Sequence, residues 1–322
     1  MRPVSALCAT VVLGVMTLVG CGRPGTSSTE NESAGSVTVQ AGNGKITIPA
    51  RPRRIVSLSP TATEMLFAIG AGSQVVAVDD QSTYPGEAPK TKLSGFKPNS
   101  EAVIKYNPDL VVLASDMGGI VKALEKVKVP VLLEPSATRL DDSYDQIADL
   151  GTATGHAGEA ARVTADMRVR IAGAVQAAAP QGKGLTYYHE LDDGLHSATS
   201  NTFIGQVYGL FGLQNVADRA DKQGSGYPQL SPEYLVKADP DLIFLGDTKC
   251  CGQTVSTVAK RPGWRDLTAV RDQAVIPLDD DVASRWGPRL VEHVKAVGAA
   301  VQKAGRKDPG RPAAGQKTPA RQ

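Results

Sequence analysis

Glu101-Ala-Val-Ile-Lys-Tyr-Asn-Pro-Asp-Leu-Val-Val-Leu113 returns 132 residues later as Glu233-Tyr-Leu-Val-Lys-Ala-Asp-Pro-Asp-Leu-Ile-Phe-Leu245. Glu, Lys, Pro, Asp and two Leu recur in register. Each copy reads as a helix start, a short helix, a Pro-Asp turn and a buried strand. An acid suits the positive end of a helix, and proline punctuates its exit. A four-residue apolar run bounded by turn residues fits a strand covered on both faces. Asn99 and Ser231 occupy equivalent cap positions, where a short polar side chain accepts from the first free amides. Two copies of one unit imply two related lobes.

Working outward, apolar runs at 55–58, 75–78 and 131–133 surround the first copy, and runs at 185–188 and 275–278 surround the second. They alternate with amphipathic segments, the pattern of α/β layers. Thr61-Ala-Thr-Glu64 resembles a capping box opening a helix that Gly70 stops. Between the halves, residues 156–179 contain no proline and only Gly158 and Gly173. Val163, Met167, Ile171, Ala174, Val175 and Ala178 fall on one helical face there. Such a helix spans on the order of 35 Å, enough to serve as a rigid spine. The expected fold is α/β, with lobes at 51–153 and 181–304, a single long rigid helix at 154–180 joining them, and a ligand cleft between the lobes.

The ends read differently. Arg2 and the mostly apolar residues 6–19 form an export signal, too short for a spanning helix. Leu18-Val19-Gly20-Cys21 resembles a bacterial lipobox, which implies cleavage after residue 20 and lipid on Cys21. Residues 21–50 are expected to be a flexible tether, with 22–36 rich in Gly, Ser, Thr and Glu. Residues 305–322 read as a disordered tail. Lysine plus arginine number 35 against 33 acids, so the chain lacks the basic excess that nucleic-acid binding needs. Beyond the signal and the lipobox Cys21, the only cysteines are the neighbours Cys250 and Cys251, which excludes a four-cysteine zinc site.

Arg54-Ile-Val-Ser-Leu-Ser-Pro-Thr-Ala-Thr-Glu64, the repeated units, Tyr227-Pro-Gln-Leu-Ser-Pro-Glu233 and the spine together resemble the periplasmic-binding-protein family for cobalamin, ferric siderophores and haem. The resemblance covers residues 51–301. It implies the substrate-binding lipoprotein of an ABC importer, lipid-anchored on the extracytoplasmic face of the cell membrane. Such a protein is a monomer without cofactor that passes a small chelate to a permease dimer and its ATPase. The cobalamin-binding member fits best. It has a Tyr-Pro pair after its second strand (Tyr84-Pro85) and an aromatic before each docking glutamate (Phe96 and Tyr227). It also has an acid and an arginine in its last cleft loop (Asp281 and Arg285). Several family tryptophans are Tyr or Phe here, which leaves ferric siderophore and haem open. Glu101 and Glu233 have a plain reading as first-turn acids. The resemblance implies that each docks into an arginine pocket on one permease copy.

Ligands of α/β sheets bind at loops leaving the carboxyl ends of strands. The ligand-binding candidates are Ser59, Pro60, Tyr84, Phe96, Tyr188, His189, Tyr227, Asp281, Arg285 and Trp286. Rings with polar tips suit a large, flat, amide- or catecholate-bearing molecule, and Arg285 suits its oxygens. The competing reading makes Tyr84 and Tyr227 turn packing and Trp286 a core anchor. His189 and His196 flank Glu190, Asp192 and Asp193, but metal capture needs ligands from both lobes, and the first lobe has no histidine before His156. No metal site is expected. Tyr187, Tyr188 or His189 as a haem ligand stays open. No nucleophile elbow, phosphate-binding glycine loop or His-Glu-x-x-His occurs, so no enzyme is expected. Cys250 and Cys251 are expected to form a vicinal disulfide, the alternatives being free thiols or pairing between chains.

Overall fold

The computed structural model describes residues 35–307. The export signal, Cys21 and nearly all of the expected tail lie outside the described residues. The strands are β1 (Val37–Ala41), β2 (Gly44–Ile48), β3 (Ile55–Leu58), β4 (Val75–Asp79), β5 (Lys90–Leu93), β6 (Leu110–Leu113), β7 (Val131–Leu133), β8 (Thr186–Glu190), β9 (Gln214–Asn215), β10 (Leu242–Leu245) and β11 (Val275–Pro277). The α-helices are α1 (Pro60–Ala68), α2 (Ser100–Ile104), α3 (Ile120–Lys126), α4 (Leu140–Thr154), α5 (Ala157–Gly182), α6 (Phe203–Gly209), α7 (Pro232–Ala238), α8 (Val255–Ala259), α9 (Thr268–Arg271), α10 (Asp280–Ala283) and α11 (Leu290–Lys307).

Two parallel sheets carry the lobes, in the orders β5-β4-β3-β6-β7 and β11-β10-β8-β9. They share one plan. In each, the first strand of the lobe lies between the next strand in sequence and the strand of the repeated unit. Ile55 pairs with Leu110, and Tyr187 pairs with Leu242. Both partners are displaced by the 132 residues that separate the two copies in sequence, so the repeat is a repeat of sheet register.

Strand residues alternate between faces, and both faces are covered. Leu110 and Val112 join the large core that includes the spine, while Val111 and Leu113 join a second core with Val103 and Leu124. The spine α5 packs on α4 and α11. Its 26 residues give about 39 Å. Met167, Ile171 and Ala178 are buried, with Val163, Ala174 and Val175 packed at the margin, as the periodicity predicts. The helix continues through Pro180. A Cβ on Gly182 would sit 2.1 Å from the Phe211 carbonyl oxygen, so only glycine lets the spine end this close to the second lobe.

Three expectations need correction. The tether assigned to 21–50 ends early, because residues 37–48 form an antiparallel hairpin with a two-residue Gly42-Asn43 turn. Val39 and Ile48 are buried. The Gly42 amide donates to Leu133 O (2.8 Å), and the Asn43 amide group bonds Val131 O (3.0 Å) and Leu133 N (3.1 Å). The turn thus occupies the open edge of β7, which would otherwise expose unpaired backbone. At the other end, α11 runs to Lys307, into the stretch assigned to the tail. Finally, Thr61-Ala-Thr-Glu64 is no capping box. Ser59 is the N-cap, its Oγ accepting from Ala62 N at 3.3 Å, and Pro60 takes the first turn. That leaves Glu64 for other partners.

Candidate functional site

The loops leaving the carboxyl ends of the two sheets meet each other. Thr83, after β4, donates to Asp281 Oδ2 (3.3 Å) beyond β11, and Arg285 donates to Gln81 O (3.1 Å). Beside these contacts lies a carboxylate held by two guanidiniums. Glu64 Oε1 accepts from Arg285 Nη1 at 2.8 Å, and Glu64 Oε2 accepts from Arg289 Nε at 2.9 Å. Arg285 also reaches Asp281 at 2.7 Å. The Glu64 side chain is 2% exposed, and Arg285 and Arg289 are 11% and 15% exposed. An ion pair this dry is costly to break. It joins α1 of the first lobe to the loop between α10 and α11 of the second. Lys249 extends it, bonding Asp279 (2.8 Å) and Asp281 (3.0 Å). A hollow of about 300 Å³, lined by Glu64, Phe67, Tyr84, Pro85, Arg170 and Arg289, runs from this network to the spine.

Around the network the large side chains divide into two groups. Tyr84, Phe96 and Tyr227 are 47%, 72% and 52% exposed, and Met117 is 45% exposed. Tyr84 follows β4, Phe96 follows β5, Met117 follows β6 and Tyr227 lies beyond β9. All four therefore leave the sheets at their carboxyl ends. Arg289 stacks over one face of the Tyr84 ring, 4.3 Å from its centroid, and the ring still keeps about half its surface. Pro60 is half-buried.

The second group corrects the candidate ligand contacts. Tyr188 is fully buried, edge-on to Trp264 at 6.3 Å. His189 is 1% exposed, with Nδ1 bonded to Tyr208 Oη at 2.7 Å. Burial, and then the neighbouring His293, lower its pKa to about 3, so it is neutral. Tyr187 is also fully buried, bonded through its hydroxyl to Asn215 Nδ2 (2.8 Å). All three belong to β8, which has a strand on each side and covered faces, so none meets a ligand or a haem iron. Ser59 is buried and spent on its cap. Trp286 anchors its loop: its Nε1 donates to Gln146 Oε1 (2.7 Å), its ring meets Phe203 edge-on, and its carbonyl accepts from Ser143. Arg285 and Asp281 are occupied by the cross-lobe network.

Glu101 and Glu233 stand exposed in the first turns of α2 and α7, behind the caps Asn99 and Ser231. Asn99 Oδ1 accepts from Ala102 N (2.9 Å) and Ser231 Oγ from Tyr234 N (3.1 Å), so the two lobes present an acid in the same local frame. His196 pairs with Asp192 at 2.9 Å, away from His189. The Cys250 and Cys251 sulfurs face each other at 2.7 Å on the loop after β10.

Sequence reasoning missed Arg289 and the role of Glu64. Arg285 and Arg289 are four residues apart, but both lie in the non-helical loop between α10 and α11, where that spacing carries no facing signal. Glu64 lies more than two hundred residues away, and nothing in the sequence pairs it with them.

Two further acids share an environment. Glu134, at the end of β7, and Asp247, just after β10, are buried. Burial first, and then Asp149, push the Glu134 carboxyl up to about 8. Burial first, and then Glu190, push the Asp247 carboxyl up to about 8. Glu190 is held in a two-pronged pair by Arg261, at 2.6 Å for each bond. Asp247 therefore keeps its proton at neutrality.

The family model described as "Periplasmic binding protein" matches residues 55–282. An ABC transporter substrate-binding lipoprotein of Bacillus subtilis is 29% identical, over 94% of this chain and 98% of its own length. A cobalamin-binding protein of Halobacterium salinarum is 33% identical, over 78% of this chain and 70% of its own. Among solved structures, a periplasmic haem-binding protein of Roseiflexus superposes with a TM-score of 0.69 and 27% identity, covering 79% of this chain and 99% of that one.

Proposed function

The chain belongs to the periplasmic binding protein family, and from that premise we propose that it captures cobalamin or a related corrinoid and delivers it to an ABC permease. It is an ABC importer substrate-binding protein of the group that takes vitamin B12, siderophores and haem. The family binds solutes, and we read the chain as a carrier without catalysis. The observation that carries the ligand is the exposure of Tyr84, Phe96 and Tyr227 on loops of both lobes. Three rings with open faces, two bearing a hydroxyl, suit a broad macrocycle fringed with amides. The relative named cobalamin-binding supports the same choice. In this reading Pro60 and Met117, on neighbouring strand-end loops, are further ligand contacts. The alternative is a ferric siderophore or haem.

In the same reading Glu101 and Glu233 dock one on each copy of a permease dimer served by its ATPase, and lipid on Cys21 holds the protein at the extracytoplasmic face of the cell membrane. The protein acts as a monomer without a cofactor of its own. The test is a thermal-shift panel of cyanocobalamin, haem and ferric siderophores on the mature protein. Cyanocobalamin at a hundred times its dissociation constant is expected to add about 2.7 kcal/mol of stability. A shift with a ferric siderophore and none with any corrinoid would replace the ligand.

A further inference from the structure

The loop from Asp247 to Gln253 is pinned on both sides of its two cysteines. Asp280 accepts from three consecutive amides: Thr248 N (2.8 Å) at Oδ1, and Lys249 N (2.9 Å) and Cys250 N (2.9 Å) at Oδ2. Thr248 Oγ1 adds a bond to Asp280 Oδ1 at 2.7 Å. On the far side, the Asp247 carbonyl accepts from Cys251 N and Gln253 N, each at 3.3 Å. Gly252, at φ +67°, makes the exit turn. Cys250 is exposed and Cys251 half-buried, so reagents reach the pair. This backbone holds the sulfurs at 2.7 Å, on a loop whose Lys249 joins the cross-lobe network.

We propose that Cys250 and Cys251 form a redox modification site that closes into an intramolecular vicinal disulfide by exchange with an external organic disulfide. The Cys251 thiolate attacks one sulfur of the external disulfide and expels the other as a thiolate. The Cys250 thiolate then attacks Cys251 Sγ and expels the remaining half. Two protein thiols and one external disulfide become one protein disulfide and two external thiols, and the protein gives up two electrons and two protons. The order follows from the surroundings of Cys250. Burial first, and then the hydrogen bond and charge of Cys251, push its thiol up to about 12. The Asp280 carboxylate that holds the Cys250 amide also disfavours the Cys250 thiolate and stays in place when Cys251 is tied up or replaced, so Cys250 is the slower nucleophile and attacks second, where the reaction is intramolecular. Neighbouring Cα atoms are about 3.8 Å apart, under the 4.4–6.8 Å usual for disulfides, so the closed ring is easily reduced again.

The test treats the reduced, mature full-length protein with oxidised glutathione and follows intact mass, with alkylation after unfolding. The wild type is expected to lose two hydrogens, keep no alkylatable thiol, carry no glutathione and stay monomeric. Cys250→Ser should stop at a stable glutathione adduct on Cys251. Cys251→Ser should form its adduct slower by about tenfold or more. Unchanged melting of both variants checks their fold. A wild type that stops at the adduct, forms covalent dimers or retains both thiols would overturn the site. Equal adduct rates in the two variants would overturn the order of attack. None of these readouts depends on the identity of the cleft ligand.

Discussion

After β4 and β5 of the first lobe, Tyr84 and Phe96 stand 47% and 72% exposed. Along β8 of the second lobe, Tyr187, Tyr188 and His189 are 0%, 0% and 1% exposed. The residue types are alike, and the difference is position relative to a strand end. A side chain on β8 must face one of two covered faces, because β8 has β10 on one side and β9 on the other. Tyr188 therefore meets Trp264 on one face, while Tyr187 and His189 meet Tyr208 on the other. A ring in the loop beyond a strand end has no such neighbours and stays available. Stability is thus carried by the strand rings, and recognition by the loop rings.

The sharpest break of this contrast is in stability. Tyr188→Ala should cost about 3–5 kcal/mol, as for large aromatic truncations in a core. Phe96→Ala should stay within about 0.5 kcal/mol, as for exposed sites. Urea midpoints compare the two, and a larger loss for Phe96 would invert the assignment.

The cross-lobe carboxylate is next. Glu64→Ala leaves Arg285 and Arg289 without their counter-charge in a nearly dry setting, at a cost of about 3 kcal/mol. A loss under about 0.5 kcal/mol in denaturant titration would mean that water screens the network.

A smaller effect separates the buried acids from the buried histidines. The folded pKa values of Glu134 and Asp247 are raised to about 8, so their stabilising contribution is complete below the unfolded carboxyl range and is lost as pH rises through 8. Burial lowers His293 to about 4, and His189 is lowered to about 3. Their contribution is complete above the unfolded value of about 6.5 and falls away as pH drops toward 4. The two sets oppose one another from about pH 4 to 6.5, and only the acids change above it. Stability should therefore fall by about 2 kcal/mol per unit between pH 6.5 and 8, both acids contributing. Asp247→Asn and Glu134→Gln should flatten that limb. A slope untouched by both would locate the titration elsewhere.

The smallest stability effect is expected at the exposed acids. Replacing Glu101 and Glu233 together by Ala should change stability by about 1 kcal/mol or less and leave ligand affinity intact while abolishing uptake in cells. Equal losses of affinity and uptake would place these acids in the cleft instead.

Much of this architecture was legible in the sequence because it repeats. The Pro-Asp-Leu units announced β6 and β10, and the 132-residue spacing carried the pairing register of both lobes. The spine was legible from one apolar face. The β1–β2 hairpin was not: its Gly42-Asn43-Gly44 turn has linker composition, although Val37, Val39 and Ala41 alternate as a strand should. Burial was the harder quantity. The run Thr-Tyr-Tyr-His-Glu at 186–190 looks polar enough for a cleft. The Tyr187 hydroxyl and the His189 imidazole find partners in Asn215 and Tyr208, which the sequence places about twenty or more residues on. The Glu64–Arg285–Arg289 network was hidden for the same reason, since pairing across lobes depends on a fold that no local pattern encodes.

The most direct test of the account is an equilibrium titration of cyanocobalamin into the mature protein and into the Tyr84→Ala/Phe96→Ala/Tyr227→Ala variant. The wild type should bind at micromolar or tighter dissociation constant, on the order of −8 kcal/mol. The variant should melt within a few degrees of it and bind more weakly by about tenfold or more, or about 1.4 kcal/mol. Absence of binding by the wild type, or equal affinity in the variant, would contradict the claim that these open rings hold a corrinoid.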